Sequence, residues 1–145
     1  MKTPRTPLLT ADILIELQDL PNRPIVLIER KNPPHGWAIP GGFVDRGERV
    51  EHAARREALE ETGLQVELKQ LLGLYSAPDR DPRFHTVTAL YVAQAHGLPE
   101  ARDDARNVAI HDIDNLPREL AFDHALMLRD YLSWRKDGVL TPLRE

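Results

Sequence analysis

Between Gly42 and Leu64 the chain reads GFVDRGERVEHAARREALEETGL, a glycine-led loop followed by a segment dense in carboxylates. A glycine turn delivers Glu48, the helical stretch then presents Arg56, Glu57, Glu60 and Glu61, and Gly63 stops it. Residues three and four apart are neighbours on a helix, so Glu57, Glu60 and Glu61 are expected to converge on one patch. Like charges at that spacing destabilise an isolated helix by about 0.2–0.5 kcal/mol per pair. Either solvent screens them or a hard cation sits between them. Magnesium fits, because it takes oxygen ligands and is held by a few carboxylates together with substrate phosphates.

The order of these residues resembles the signature of the Nudix hydrolases at every defined position: Gly42, Glu48, Arg56-Glu57, Ala58, Glu60-Glu61 and Gly63-Leu64, a box over residues 42–64. Fixed residues at fixed spacing make a far more specific match than a lone glycine motif. The resemblance implies a pyrophosphohydrolase that cleaves a nucleoside diphosphate linked to another moiety into a nucleoside monophosphate and a phosphorylated remainder. It implies Mg2+ as cofactor, with Mn2+ as a possible substitute, and Glu57, Glu60, Glu61 and the Gly41 carbonyl as metal ligands. Arg56 is implied to pair with Glu48 and orient the loop against the helix. Glu57 or Glu61 is expected to activate water, with Glu100, Asp103 and Asp104 as alternatives from a later loop.

A second segment, Leu72 to Arg83 (LGLYSAPDRDPR), resembles bacterial ADP-ribose pyrophosphatase-like members, as does Leu120-Ala121-Phe122-Asp123-His124. ADP-ribose or a related nucleotide sugar is therefore the expected substrate, with Arg80 and Arg83 gripping phosphate or ribose through planar donors and Gly42 letting the backbone approach the substrate closely. Tyr75, Phe43 and Trp37 are candidates for stacking on a base. His124, beside Asp123, is expected to serve capping and packing, since Asp is a favoured N-cap residue. A hydrolase of modified nucleoside triphosphates shares the same box and is the alternative. An ADP-ribose-sensing module is a third, less favoured reading, because all box glutamates are present. Relatives of the ADP-ribose class are often homodimers, and a homodimer is a further expectation.

These residues need a scaffold, and 145 residues suffice for one domain with a proper core, here taken as 1–145. Nineteen Lys and Arg stand against 23 Asp and Glu, net −4, with the basic residues scattered. A nucleic-acid surface would need them clustered. No cysteine occurs, which excludes disulfides and zinc-thiolate sites and is consistent with a cytoplasmic setting. The apolar stretch near the start is broken by Asp12 and Glu16, so neither a signal peptide nor a membrane span is expected.

Residues 1–10 read as an extended entry segment. Strands are predicted at Ala11–Leu17, Pro24–Arg30, Trp37–Gly42, Gln65–Leu74, Phe84–Gln94 and Val108–Ile110, the fourth pairing with the fifth. Helices are predicted at Val50–Thr62, with Ala53, Ala54, Ala58 and Leu59 facing the core, and at Phe122–Lys136. That order gives an α/β class with a mixed β-sheet between helices. The resemblance sharpens it to the Nudix fold, an α/β/α sandwich.

Overall fold

In the computed structural model, which describes residues 2–102 and 105–145, strand β1 (Leu8–Leu17) forms the spine of the sheet. It runs parallel to β6 (Thr86–Ala95) along its whole length, from Leu8 opposite Thr86 to Leu17 opposite Ala95. Side chains alternate across a strand. Ala11, Ile13, Ile15 and Leu17 accordingly enter one core with Ala54 and Ala58 of helix α1 (Val50–Thr62). Leu14 enters the other core, with Met127, Leu128 and Tyr131 of helix α2 (His124–Asp137). The two helices thus cover opposite faces, an α/β/α sandwich.

The remaining strands are β2 (Ile25–Arg30), β3 (Trp37–Ala38), β4 (Gly41–Phe43), β5 (Glu67–Tyr75) and β7 (Ala105–His111). The main path runs β3-β2-β1-β6-β5, with β4 added to β1 and β7 to β2. Only β1 with β6 is parallel; β5 and β6 pair antiparallel, as expected from sequence. Among the described residues no helix is long and apolar enough to cross a membrane.

Three sequence expectations are corrected. Residues 8–10, assigned to the entry segment, belong to β1, because Thr10 finds a ladder partner in Phe43. The strand expected over Trp37–Gly42 is divided at Ile39-Pro40, and its two halves pair with different neighbours, β2 and β1. Proline cannot donate to a ladder, so the chain changes partner there. Leu59, expected in the core, is 40% exposed; Ala53, Ala54 and Ala58 are fully buried and occupy the sheet-facing side.

Candidate active site

Helix α1 lies close to the sheet because its buried face is built of alanines and Thr62. Its C-terminus is closed by Gly63 at φ 75°, whose N–H donates to the Leu59 carbonyl, a left-handed cap suited to glycine. From this helix Arg56 reaches back over the preceding loop. Its Nε and Nη2 donate to the two Glu48 oxygens at 2.8 and 2.9 Å, and Nη2 also donates to the Phe43 carbonyl at 3.0 Å. Nη1 donates to Glu57 at 3.0 Å and to Glu60 at 3.2 Å. Bidentate pairing of this kind fixes geometry as well as charge. The Arg56 hydrogen bonds are the largest cause holding the Glu48 carboxyl well below its ordinary range. The Arg56–Glu48 brace expected from the sequence is present, and it extends to Glu57.

Glu57 and Glu61, four residues apart, share one side of α1 and line a cavity of about 380 Å³. Glu60 does not line it. Glu60, three residues from Glu57, is the most exposed of the three at 44% of its side chain and pairs with Arg56. Glu57 and Glu60 nonetheless share one donor, Arg56 Nη1, so the two carboxylates stand side by side at the edge of the cavity. Burial raises the pKa of Glu57, and raises that of Glu61 well above its ordinary value, with repulsion from Glu57 adding to the second. Glu61 accepts the Gly41 N–H at 3.1 Å.

Among the described residues no group of three or more His, Cys, Asp or Glu side chains could enclose a metal ion. One buried and one partly buried carboxylate, mutually repelling and beside a glycine backbone, suit instead an open cation site that leaves positions for water and phosphate oxygens. The glycine pair is required by space. A Cβ on Gly42 would lie 2.5 Å from the Glu57 carboxylate, and one on Gly41 would lie 2.1 Å from Asp12 Oδ1.

Further lining comes from the 78–83 loop, β1 and the approach to α2. Arg83 lies at the cavity at 37% side-chain exposure, its guanidinium held by both oxygens of Asp81. Arg80 also lines the cavity but is only 4% exposed. Its Nε and Nη2 donate to Asp123 at 3.0 and 2.7 Å, and its Nη1 donates to Thr86 at 2.6 Å. Arg80 is thus held in a largely buried ion pair with Asp123, which ties the loop to the start of α2. Asp123 in turn stands at the N-cap position without a side-chain cap bond.

Sequence reading missed two site residues. His124 reaches across to accept the Ile39 N–H on Nδ1 at 3.0 Å, which places its remaining ring proton on Nε2, 3.8 Å from Asp12 Oδ2. Burial, with Arg80 and Arg30 nearby, pushes the His124 pKa down to about 3. Asp12, in the central strand β1, accepts from Thr88 at 2.7 Å, and burial pushes its pKa up to about 7. The signal was an acid in a strand otherwise rich in Ile and Leu, read together with Glu16 only as an interruption of hydrophobicity.

Phe122 also lines the cavity, at φ 55°, a conformation that costs a bulky residue of order 1–3 kcal/mol. A bridge between Trp37 and Leu120 and the Ala121 N–H bond to the Trp37 carbonyl hold it there. Of the stacking candidates, Phe43 lines the cavity. Tyr75 is buried with its hydroxyl donating to Asp130, and Trp37 packs edge-on against His111. Glu100 ion-pairs with Arg102 beside Gly63, outside the cavity lining. Asp103 and Asp104 lie outside the described residues.

With the carboxylate pair, the Arg56 brace and the sandwich in place, comparison with known proteins is decisive for the family. The NUDIX domain model matches residues 7–131, and the chain belongs to that family. The chain is 48% identical over 114 residues to an ADP-ribose pyrophosphatase of Methanocaldococcus jannaschii, covering 77% of this chain and 67% of the relative. It is 38% identical over 92 residues to the ADPR responsive transcriptional repressor NtrR of Acinetobacter baylyi, covering 61% of this chain and 37% of that protein. Among solved structures, a MutT NUDIX hydrolase from Burkholderia pseudomallei superposes with a TM-score of 0.74 at 29% identity, covering 86% of this chain and 98% of that one.

Proposed function

We propose that the chain is a divalent-cation-dependent pyrophosphohydrolase acting on ADP-ribose or a related nucleotide sugar. The observation that carries this reading is the charge content of the cavity: it is lined both by the carboxylates of Glu57 and Glu61 and by the Arg83 guanidinium. A diphosphate bound there would meet both a cation site and a planar donor. The similarity to the Methanocaldococcus jannaschii pyrophosphatase supports the choice of substrate.

In this reading Glu57, Glu61 and the Gly41 carbonyl hold the cation, magnesium or in its place manganese. When bound, the cation polarises phosphoryl oxygens and lowers the pKa of a coordinated water. Arg56 keeps Glu57 aimed into the cavity while anchoring the loop through Glu48. Glu60, on the rim, extends that ion-pair network. Gly42 leaves room for the Glu57 carboxylate and for close approach of substrate. Arg83 grips the diphosphate or the distal ribose phosphate, and Arg80 fixes the loop that carries Arg83. The proton from the attacking water goes to the Glu57–Glu61 pair, carboxylates that line the cavity and whose pKa values are raised by burial.

A cytoplasmic setting and a homodimer complete the proposal. The exposed Leu71 and Leu74 on strand β5, which has a single neighbour in the main sheet path, support the second. The deciding experiment measures AMP release from ADP-ribose, and hydrolysis of modified nucleoside triphosphates, on one preparation with Mg2+ and with EDTA. A tenfold or greater preference for a triphosphate, about 1.4 kcal/mol in transition-state binding, overturns the nucleotide-sugar assignment. Full activity of Glu57→Gln and Glu61→Gln overturns the metal site.

A further inference from the structure

The rim of the cavity carries an alternation of aromatic rings and guanidinium groups. The Phe43 and Phe84 rings are 5.8 Å apart. The Arg83 guanidinium lies 5.0 Å from the Phe84 ring centre and 5.5 Å from that of Phe122, and the Arg30 guanidinium lies 4.8 Å from Phe122. One phenyl ring therefore serves two cations, and the backbone holds that ring at a positive φ.

Two guanidinium groups near one another repel, and each sits on a long side chain with many rotamers. A ring face carries partial negative charge and attracts both. Arg83 is further oriented by Asp81, and the Arg30 Nε donates to the Pro34 carbonyl at 2.8 Å. The ring thus draws together cations from β2 and from the 78–83 loop, segments that share no strand pairing. Backbone strain at a bulky residue persists where the surrounding structure over-determines it, and such residues cluster at ligand clamps.

We infer that Phe122 is a positioning residue for the anionic substrate: its ring sets the spacing of Arg30 and Arg83 so that both face one diphosphate. This inference rests on the pyrophosphohydrolase reading and adds a specificity element to it. Arg30 becomes a second phosphate-binding residue, and Phe122 acts through both arginines without touching the reacting atoms. A pre-set pair of donors lowers the ordering cost of binding.

The test measures binding of ADP-ribose by calorimetry in EDTA, and kcat and KM with Mg2+, for the wild type, Phe122→Leu, Phe122→Tyr and Phe122→Trp. Leucine keeps apolar bulk and removes the π face; tyrosine and tryptophan keep it. Phe122→Leu is expected to weaken binding and raise KM by about tenfold, with kcat changed less than about twofold, the pattern of lost uniform binding. Tyrosine and tryptophan are expected to restore KM. A double-mutant cycle of Phe122→Leu with Arg83→Ala is expected to be non-additive, because removing the cation removes what the ring acts on.

Equal KM for Phe122→Leu and wild type, failure of both aromatic variants to restore binding, or additivity in the cycle overturns the inference while leaving the enzyme reading intact. Wild-type protein that neither binds nor hydrolyses ADP-ribose overturns the substrate reading itself, and the inference with it.

Discussion

Replacing Gly42 with alanine separates the geometry of the carboxylates from the stability of the fold. The added Cβ would stand 2.5 Å from Cδ and Oε1 of Glu57 and 2.7 Å from Oε2. Restoring ordinary contact at 3.4 Å moves the carboxylate by about 0.9 Å. The obstructing atoms are the end of a side chain, so Glu57 can yield without shifting a strand. Gly42 is not among the glycines with positive φ, so alanine meets no backbone penalty there. A displacement of that size at a catalytic group costs about a hundredfold in rate, or about 2.7 kcal/mol in the barrier. Gly42→Ala is therefore expected to keep its melting temperature within a few degrees of wild type while kcat for ADP-ribose falls about a hundredfold. Gly41→Ala is the contrast: its Cβ would lie 2.3 Å from the Ala11 carbonyl oxygen and 2.8 Å from the Asp12 Cα, atoms of the central strand. That variant is expected to lose several kcal/mol of stability. Thermal unfolding and steady-state kinetics on the same samples check both. A Gly42→Ala enzyme with kcat within about twofold of wild type refutes the placement of Glu57, and a collapse of its melting temperature refutes the claim that the side chain yields.

Three further outcomes are expected. Gly63→Val places a β-branched residue at φ 75°, where non-glycine residues lose about 1–2 kcal/mol, and a chemical denaturation midpoint unchanged from wild type would contradict it. Arg80→Ala strands Asp123 and Thr86 and should lower stability by about 3 kcal/mol or more, whereas Arg83→Ala should leave the melting temperature nearly unchanged and raise KM; equal stability losses would contradict the division. His124 is held neutral, its pKa pushed from 6.5 down to about 3, so the unfolded chain binds the extra proton first and the stability due to neutral His124 falls as pH drops from 6.5 towards 3. His124→Gln removes that titration, so its stability difference from wild type should narrow in acid; a difference independent of pH refutes the buried neutral state.

The sequence by itself determined most of what is local. The box 42–64 specified helix α1 to the residue, because its glycine stop and its spacing of alanines act within a few turns. The Arg56–Glu48 brace was implied by the resemblance, and its partners are separated only by Arg49 and the first turns of α1. Fold class followed from the order of the strand-forming runs and the two helical stretches. The closeness of Glu57, Glu60 and Glu61 follows from helical spacing, while the different burial of the three depends on packing against the sheet. What the tertiary structure decided are contacts across long stretches of chain: Asp12 against Thr88, Ile39 against His124, and Arg80 against Asp123. None of these pairs shares a local pattern. The parallel register of β1 with β6 and the positive φ of Phe122 are likewise set by neighbours distant in sequence. The physical reason is that burial and partner choice depend on the packed environment, which local propensity and spacing do not encode.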